Sequence, residues 1–481
     1  MKKFPDAIPS DLMPLTLNPR VSVFRHKGGI YLFDPATRTY AAMNETLLAL
    51  VTKPDDVHSA EEVCGDDRTE LTEAVMQFRR LGILKRPEEI VQGDRRPAPE
   101  SFGSMTRLHI FVTTRCNLRC VYCYAKGGDS ERIISRDIWQ TAMDHFFSNL
   151  TFDAAQKTPK PIEVNLTVHG GGEPTIEFDT LKDIVSEFRR RAAEMGLKPS
   201  VAMGTNGTYG DSVHQWIVEN NINVNISLDG PQHVQNRQRP FCSGEPSYDT
   251  VVRNLQLLVK SGRRVSVRAT ITSESIETME ETVKLAEQLG LAAVHFEPVT
   301  LTGRGSTVSR PDPDQFVEKF LECFLLGLEL DIDVKYSGMH CFKDCHQRFC
   351  SACGRNFCVT TEGNITTCYE VLDANDPAAD IFFVGKIEPL QASVEWDLAR
   401  IKELEQRIAD NMEACEDCLL RYQCAGDCPI KSFRHSNRDL YSPDPFRCHI
   451  AKQINMSLIA LLADGVIEPR DVGQARVVDF N

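Results

Sequence analysis

Three cysteines fall within eight residues in the stretch Cys116-Asn-Leu-Arg-Cys120-Val-Tyr122-Cys123. Three thiols this close cannot all be satisfied as disulfides, and the loop is too tight for a hairpin. Thiolates bind zinc and iron–sulfur clusters. Three of them can cap three irons of a cubane 4Fe–4S cluster and leave the fourth iron open to an outside ligand. A structural zinc loop is the competing reading. The preceding run, Leu108 to Thr113, is apolar and β-branched and predicts a buried strand, so the loop follows a strand end.

A second group of thiols lies near the far end. Cys350 precedes Cys353 at x2; nine residues, Gly363 and four more residues then lead to Cys368. Cys415-x2-Cys418-x5-Cys424-x3-Cys428 follows, with Cys448 beyond. Paired C-x2-C spacings suit zinc as well as iron–sulfur. Cys64, Cys242 and Cys323 have no partner pattern and read as buried thiols, while Cys358 sits on an apparent strand and is unassigned. A third feature is His169-Gly170-Gly171-Gly172-Glu173-Pro174, directly after a second predicted strand. Its glycines would let the backbone approach a ligand, and its carboxylate can accept from an ammonium group.

Elements must position these groups. From Arg107 to about Leu330 short apolar strands alternate with amphipathic stretches such as Phe178–Ala193, Asp249–Lys260 and Glu277–Leu289. Strands are expected at Leu108–Val112, Glu163–Val168, Ser200–Gly204, Asn223–Leu228, Arg264–Ile271 and Ala293–Glu297. Six βα units imply an α/β parallel sheet with helices outside. Upstream, Val21–Phe24 and Gly29–Phe33 predict a hairpin turning at Lys27-Gly28-Gly29, then a strand at Arg38–Ala41. Asn44 would cap a helix over Glu45–Thr52, Ser59 to Glu62 offers a capping box, and Thr69–Leu81 carries a helical stripe. These elements suggest a small winged-helix-like α+β module, and the polar stretch to Glu100 reads as a linker.

At 481 residues the chain needs two to four domains, and 42% hydrophobic with 25% charged residues is globular composition. No apolar run is long enough for a bilayer, MKKFPDAIPSDLMPLT lacks a secretory core, and a net charge of −14 argues against nucleic acid. No membrane partner is therefore expected. With 17 cysteines, metal or redox chemistry in the cytoplasm is the expectation.

The spacing C-x3-C-x2-C, with Tyr122 before the last Cys and the Gly-Gly-Glu-Pro turn one βα unit later, resembles the radical S-adenosylmethionine (SAM) superfamily. The resemblance implies an open, partial (β/α)6 TIM-like barrel with active residues at strand C-terminal ends. It implies a 4Fe–4S cluster on Cys116, Cys120 and Cys123, and SAM near Tyr122, Gly170, Gly171, Gly172, Glu173, Asn206, Ser227 and Arg268. Arg268 could equally form an ion pair inside the barrel, and His169 and His295 read as structural histidines or substrate-side acid–base groups.

The C-terminal array is similar to the iron–sulfur SPASM extension of such enzymes. That resemblance assigns Cys350, Cys353, Cys368 and Cys428 to one auxiliary 4Fe–4S cluster, and Cys415, Cys418, Cys424 and Cys448 to another. Cys345 or Cys341 are alternatives to Cys350. The N-terminal module, through Asn18-Pro19-Arg20-Val21, Leu32-Phe33-Asp34, Met43-Asn44 and Leu81-Gly82-Ile83-Leu84, resembles leader-peptide recognition elements, in which a leader adds to a sheet edge.

The expected organisation is thus a recognition-like domain at 1–88, a linker at 89–106, the barrel at 107–340, a SPASM domain at 341–450 and a helical tail at 451–481. The combination resembles maturases of ribosomally made peptides: a precursor bound through its leader, and a ferredoxin- or flavodoxin-type donor of low potential. A Cys thioether cross-link is the favoured product. The alternative is a sulfatase-maturing, formylglycine-forming enzyme. Relatives of that kind carry an Asp after the Cys matching Cys368, where this chain has Tyr369 and Glu370. A non-catalytic iron–sulfur or zinc sensor is the remote alternative.

Overall fold

The computed structural model describes residues 15–52, 68–90, 106–150, 162–339, 345–354, 356–472 and 476–477. The Ser59–Glu62 capping box, Cys64, Cys341 and most of the expected linker lie outside these residues.

Seven parallel strands lie side by side in chain order: Arg107–Phe111, Glu163–His169, Lys198–Thr205, Asn223–Ser227, Ser266–Ile271, Ala293–Pro298 and a short Asp333–Lys335. The last is one more than the six-unit pattern predicts. Alternation along each strand explains its two faces. Val164, Leu166 and Val168 join the large core, which also takes Leu181, Ile184, Val185 and Phe188 from the helix Phe178–Glu194. Asn165, Thr167 and His169 alternate with them and are only partly buried. The first and seventh strands do not pair, so this is an open, mostly parallel sheet of partial-barrel type.

The sheet does not stop where the Cys-rich region was expected to begin. Phe357–Val359 pairs parallel with Arg107–Phe111, and Asn364–Thr366, Phe383–Glu388 and Ser393–Trp396 continue antiparallel, giving eleven strands in one sheet. The Cys-rich region therefore grows from the barrel's first-strand edge. Likewise the helix Pro445–Ala463 runs through the expected boundary at 450. Its N-cap is Asp444, which accepts from the Phe446 N–H at 3.0 Å.

The N-terminal module is a sheet of antiparallel Ser22–His26, Gly29–Asp34 and Thr39–Met43, to whose last strand the C-terminal Arg476–Val477 adds parallel, with helices Glu45–Thr52 and Arg68–Arg80. Its hairpin turns on Lys27 (φ 45°) and Gly28 (φ 87°), the left-handed pair a two-residue turn requires. Asn44 caps the first helix, Oδ1 accepting from the Leu47 N–H at 2.8 Å. One sheet face packs Leu32 and Met43 against Val75 and Phe78. The other face gives Phe33 and Tyr40 to the large core, beside the helix Pro445–Ala463. His26 Nε2 meets Ser457 Oγ at 2.9 Å, and the Tyr31 hydroxyl donates to Asp464 at 2.9 Å. The module is thereby bound to the body, and a crevice lined by Arg20, Ser22, Cys345, Cys418, Arg421 and Gln423 follows the seam. Among the described residues, no helix is long and apolar enough to cross a membrane.

Candidate active site

The Cys loop leaves the first strand and is held by backbone bonds rather than by regular structure. Arg119 N–H donates to Pro240 O at 2.8 Å and Val121 N–H to Gln238 O at 2.9 Å. The Arg119 guanidinium closes the loop on Cys116 O (2.8 Å) and Gly128 O (2.9 Å), and Arg304 reaches Cys120 O (3.0 Å) and Gly127 O (3.1 Å). Arg119 is a spacer residue inside the cysteine motif, and Arg304 is marked by no sequence motif.

Three thiols face one another here. Burial, with the neighbouring loop cysteines adding to it, pushes the Cys116 thiol up to about 11 and the Cys120 thiol up to about 12. Unliganded, such thiols stay protonated; ligation to iron makes them thiolates. Each sulfur already has an N–H beside it: Gly127 N lies 3.4 Å from Cys123 Sγ, Asn206 Nδ2 4.0 Å from Cys116 Sγ and Arg239 Nη1 3.9 Å from Cys120 Sγ. A set of three thiols, each with a donor for negative charge, fits a cluster bound through three corners.

The glycine turn packs against the start of this loop. Gly172 N–H donates to Thr113 O at 3.0 Å and Glu173 N–H to Arg115 O at 2.8 Å. A Cβ on Gly172 would collide with the Arg115 carbonyl, so only glycine permits this backbone-to-backbone approach. Glu173 is fully engaged by protein. Its Oε1 accepts from Thr175 N–H (3.2 Å), Thr175 Oγ1 (2.7 Å) and Thr205 Oγ1 (2.8 Å), and its Oε2 from Asn206 N–H (2.7 Å). It ties the second strand end to the third, and burial raises its carboxyl above the usual range despite these donors.

Asn206 likewise serves the scaffold. Its Nδ2 donates to Asn117 Oδ1 at 2.8 Å, and its Oδ1 accepts from Thr208 N–H at 2.9 Å. Tyr122 is buried, with its hydroxyl 2.5 Å from Asp229. Ser227 ends the fourth strand in register with Arg268. The Arg268 head lies 3.8 Å from Glu297 Oε1 and is half exposed, so it retains a free side toward solvent or ligand. His295 Nε2 meets the same Glu297 oxygen at 3.0 Å.

Sequence reasoning did not anticipate an aromatic group on the non-helical face of the first two strands. The Tyr369 hydroxyl lies 2.8 Å from His109 Nδ1, and its ring stacks on His169 with centroids 5.2 Å apart. Burial holds His109 down at about 3 and His169 at about 4, so both rings are neutral. Glu370, next along, pairs with Lys431 Nζ at 2.7 Å.

The C-terminal thiols separate into two groups. Cys350, an exposed residue, has Cys353, Cys428 and Cys368 as electrostatic neighbours, and these neighbouring thiols push its own thiol upward. Cys424 has Cys448, Cys418 and Cys415, with the same upward direction. Cys345 is elsewhere, 3.6 Å from Pro35 O and 3.4 Å from Gln423 Nε2. Among the described residues no three His, Cys, Asp or Glu converge tightly enough to hold a single metal ion; ligands on cubane corners stand further apart than that. Cys323 is buried as expected, but Cys242 is exposed, because it lies in the loop whose backbone closes on Asn117 O (2.8 Å). Cys358 is wholly buried, opposite His109 in the sheet register.

Residues 110–286 match the Radical SAM superfamily. The chain carries a radical SAM domain, with the 4Fe–4S cluster and SAM that this domain implies. It is related to anaerobic sulfatase-maturating enzymes: a cysteine-type enzyme of Clostridium perfringens is 23% identical over 337 residues, 66% of this chain and 86% of the relative. The Fe-coproporphyrin III synthase of Methanosarcina barkeri is 25% identical over 47% of this chain, and there the match spans about half the relative (51%). Among solved structures, anSMEcpe with bound AdoMet superposes with TM-score 0.60 at 17% identity, covering 75% of this chain and all of that one (100%). Streptococcus suis SuiB bound to precursor peptide SuiA gives 0.50 at 14% identity, covering 90% and 99%. At these identities the superpositions speak for the fold.

Proposed function

We propose that the protein modifies a ribosomally made precursor peptide, recognised through its leader, and installs an intrapeptide cross-link such as a Cys thioether. The observation that carries this reading is the N-terminal module, a small sheet bound tightly to the catalytic body and the Cys-rich region, with Ser22–His26 at its edge among the described strands. Edge strands accept an extended peptide through backbone bonds, and tethering a leader there raises the local concentration of the core segment.

Cys116, Cys120 and Cys123 would hold the cluster that binds SAM. When bound, cluster and SAM supply a 5′-deoxyadenosyl radical, which abstracts hydrogen from carbon. By the family resemblance the glycine turn, braced by Glu173, together with Asn206, Ser227 and the half-exposed Arg268 would line the SAM site. Thioether formation removes a hydrogen atom from carbon, a proton from the thiol and one electron. The electron has to leave the substrate, and the two C-terminal thiol groups, Cys350/Cys353/Cys368/Cys428 and Cys415/Cys418/Cys424/Cys448, would hold the two auxiliary clusters that carry it. All eight cysteines being used for ligation favours relay over substrate binding at an open iron. A ferredoxin- or flavodoxin-type protein in a reducing cytoplasm would supply the first electron.

Formylglycine formation is the second reading, favoured by the extent of the match to the cysteine-type enzyme. Tyr369 weighs against it: its phenol, raised by burial, is no base near neutral pH. The test incubates reconstituted protein, SAM and dithionite with a Cys-containing precursor from a neighbouring gene and, separately, with a sulfatase-type Cys peptide. The proposal expects 5′-deoxyadenosine with a precursor lacking two hydrogens, and far slower turnover when the leader is removed. Formylglycine in the second peptide, with the precursor unchanged, would replace it with the second reading.

A further inference from the structure

Cys120 is the most deeply buried of the three loop thiols, and a buried guanidinium lies beside its sulfur. Arg239 Nη1 lies 3.9 Å from Cys120 Sγ, and the guanidinium sits over the Tyr122 ring, 5.2 Å from its centroid. Arg239 is itself buried and is held by Asp229, Nε to Oδ2 at 3.0 Å.

The carboxylate is the better neutralised half of this pair. Asp229 also accepts from the Tyr122 hydroxyl (2.5 Å), Gln238 Nε2 (2.8 Å) and Thr270 N–H (3.0 Å), so its charge is spread over donors from the cysteine loop, a helix end and a strand. The guanidinium turns Nη1 to the sulfur. Burying an ion pair costs more than it returns in stability unless geometry is exploited, so a pair wedged behind a cluster ligand points to another use. Reduction of a 4Fe–4S cluster adds negative charge that its thiolates share, and a cation or N–H at a ligand sulfur stabilises that charge and raises the potential.

We propose that Arg239 is a positioning residue that acts through Cys120 to set the reduction potential of the SAM-binding cluster, with Asp229 and Tyr122 fixing its guanidinium against the sulfur. The inference rests on the iron–sulfur part of the reading above and is independent of the peptide substrate.

The test uses the full-length, iron-reconstituted protein and an EPR-monitored redox titration that follows only the signal altered by adding SAM, which separates this cluster from any others. With iron content matched, Arg239→Gln is expected to make the cluster about tenfold harder to reduce, a drop of about 59 mV for a one-electron couple. Arg239→Lys, which keeps the charge, should recover most of that shift. An unchanged midpoint in Arg239→Gln would make the residue purely structural and overturn the proposal. Should Arg239→Gln fail to load iron, Asp229→Asn decides: removing the anion must raise the midpoint, and a fall or no change overturns the proposal. A wild-type protein with no SAM-responsive signal would remove the cluster reading, and this inference with it.

Discussion

The loop at Cys116–Cys123 and the region from Cys350 to Cys448 both gather thiols, but by opposite means. In the loop the three cysteines are neighbours in sequence, and the protein holds them with its own groups: Arg119 and Arg304 on the loop carbonyls, and the glycine turn on Thr113 and Arg115. In the C-terminal region each set draws on residues far apart in the chain, from Cys350 to Cys428 and from Cys415 to Cys448. Around Cys415–Cys428 the helices are short, Arg421–Cys424 and Pro429–His435 being four and seven residues long. A site scaffolded locally can lose its cluster and keep its shape. A region whose ligands are remote from one another takes part of its folding free energy from the metal.

That contrast is open to attack in several ways. The largest effect is expected from Cys424→Ser with Cys448→Ser. If these two cysteines hold an auxiliary cluster as proposed, their loss should remove about four irons per chain and unfold the C-terminal region, seen as a collapse of thermal stability; a variant as stable as wild type would erase the distinction drawn here. Arg407 follows. It is fully buried, donating to Leu440 O (2.7 Å), Asp427 O (3.0 Å) and Gly426 O (2.8 Å) at the centre of the Cys-rich region. Arg407→Leu strands these carbonyls, and denaturant titration should register a loss of about 3 kcal/mol or more.

Gly172→Ala probes the other region. Its Cβ would meet the Arg115 carbonyl, so the loop and turn must separate, with an expected cost of about 1–3 kcal/mol and a fall of about 10²-fold in 5′-deoxyadenosine formation. Nearly normal turnover would show that the close approach is not required. The smallest effect is a pH dependence. His109 and His169 have folded values near 3 and 4, below the unfolded value, so the unfolded chain binds more protons as the solution acidifies. Their stabilisation is present above about pH 6.5 and is lost as pH falls toward 4, by about 1.4 kcal/mol per pH unit for each ring. His109→Phe should flatten the decline in melting temperature over that window, and an unchanged slope would count against the neutral buried ring.

The two regions also differ in how far the sequence reveals them. Cys116, Cys120, Cys123 and the glycine turn are legible because local spacing and strand-to-loop patterning place them together. Alternation marked the parallel strands, and alternating runs on either side of Lys27-Gly28-Gly29 marked the hairpin. Three things escaped. The seventh strand, Asp333–Lys335, is too short for a periodic signal. The continuation of the barrel sheet into Phe357–Val359 is a long-range pairing that no local pattern encodes. Arg239, Arg407 and the His109–Tyr369–His169 group are defined by partners more than a hundred residues away or on neighbouring elements, so each looks in sequence like an ordinary surface or core residue. Glu173 and Asn206 were legible as site residues, yet their observed bonds are to the scaffold, which sequence spacing does not distinguish from bonds to a ligand.

The most direct test of the central claim is made on anaerobically reconstituted protein, wild type against Cys116→Ala/Cys120→Ala/Cys123→Ala, with iron and 5′-deoxyadenosine quantified after addition of SAM and dithionite. The account predicts about twelve irons per wild-type chain, about eight in the variant, and SAM cleavage confined to wild type. Zinc in place of iron, or equal cleavage by both proteins, would contradict it.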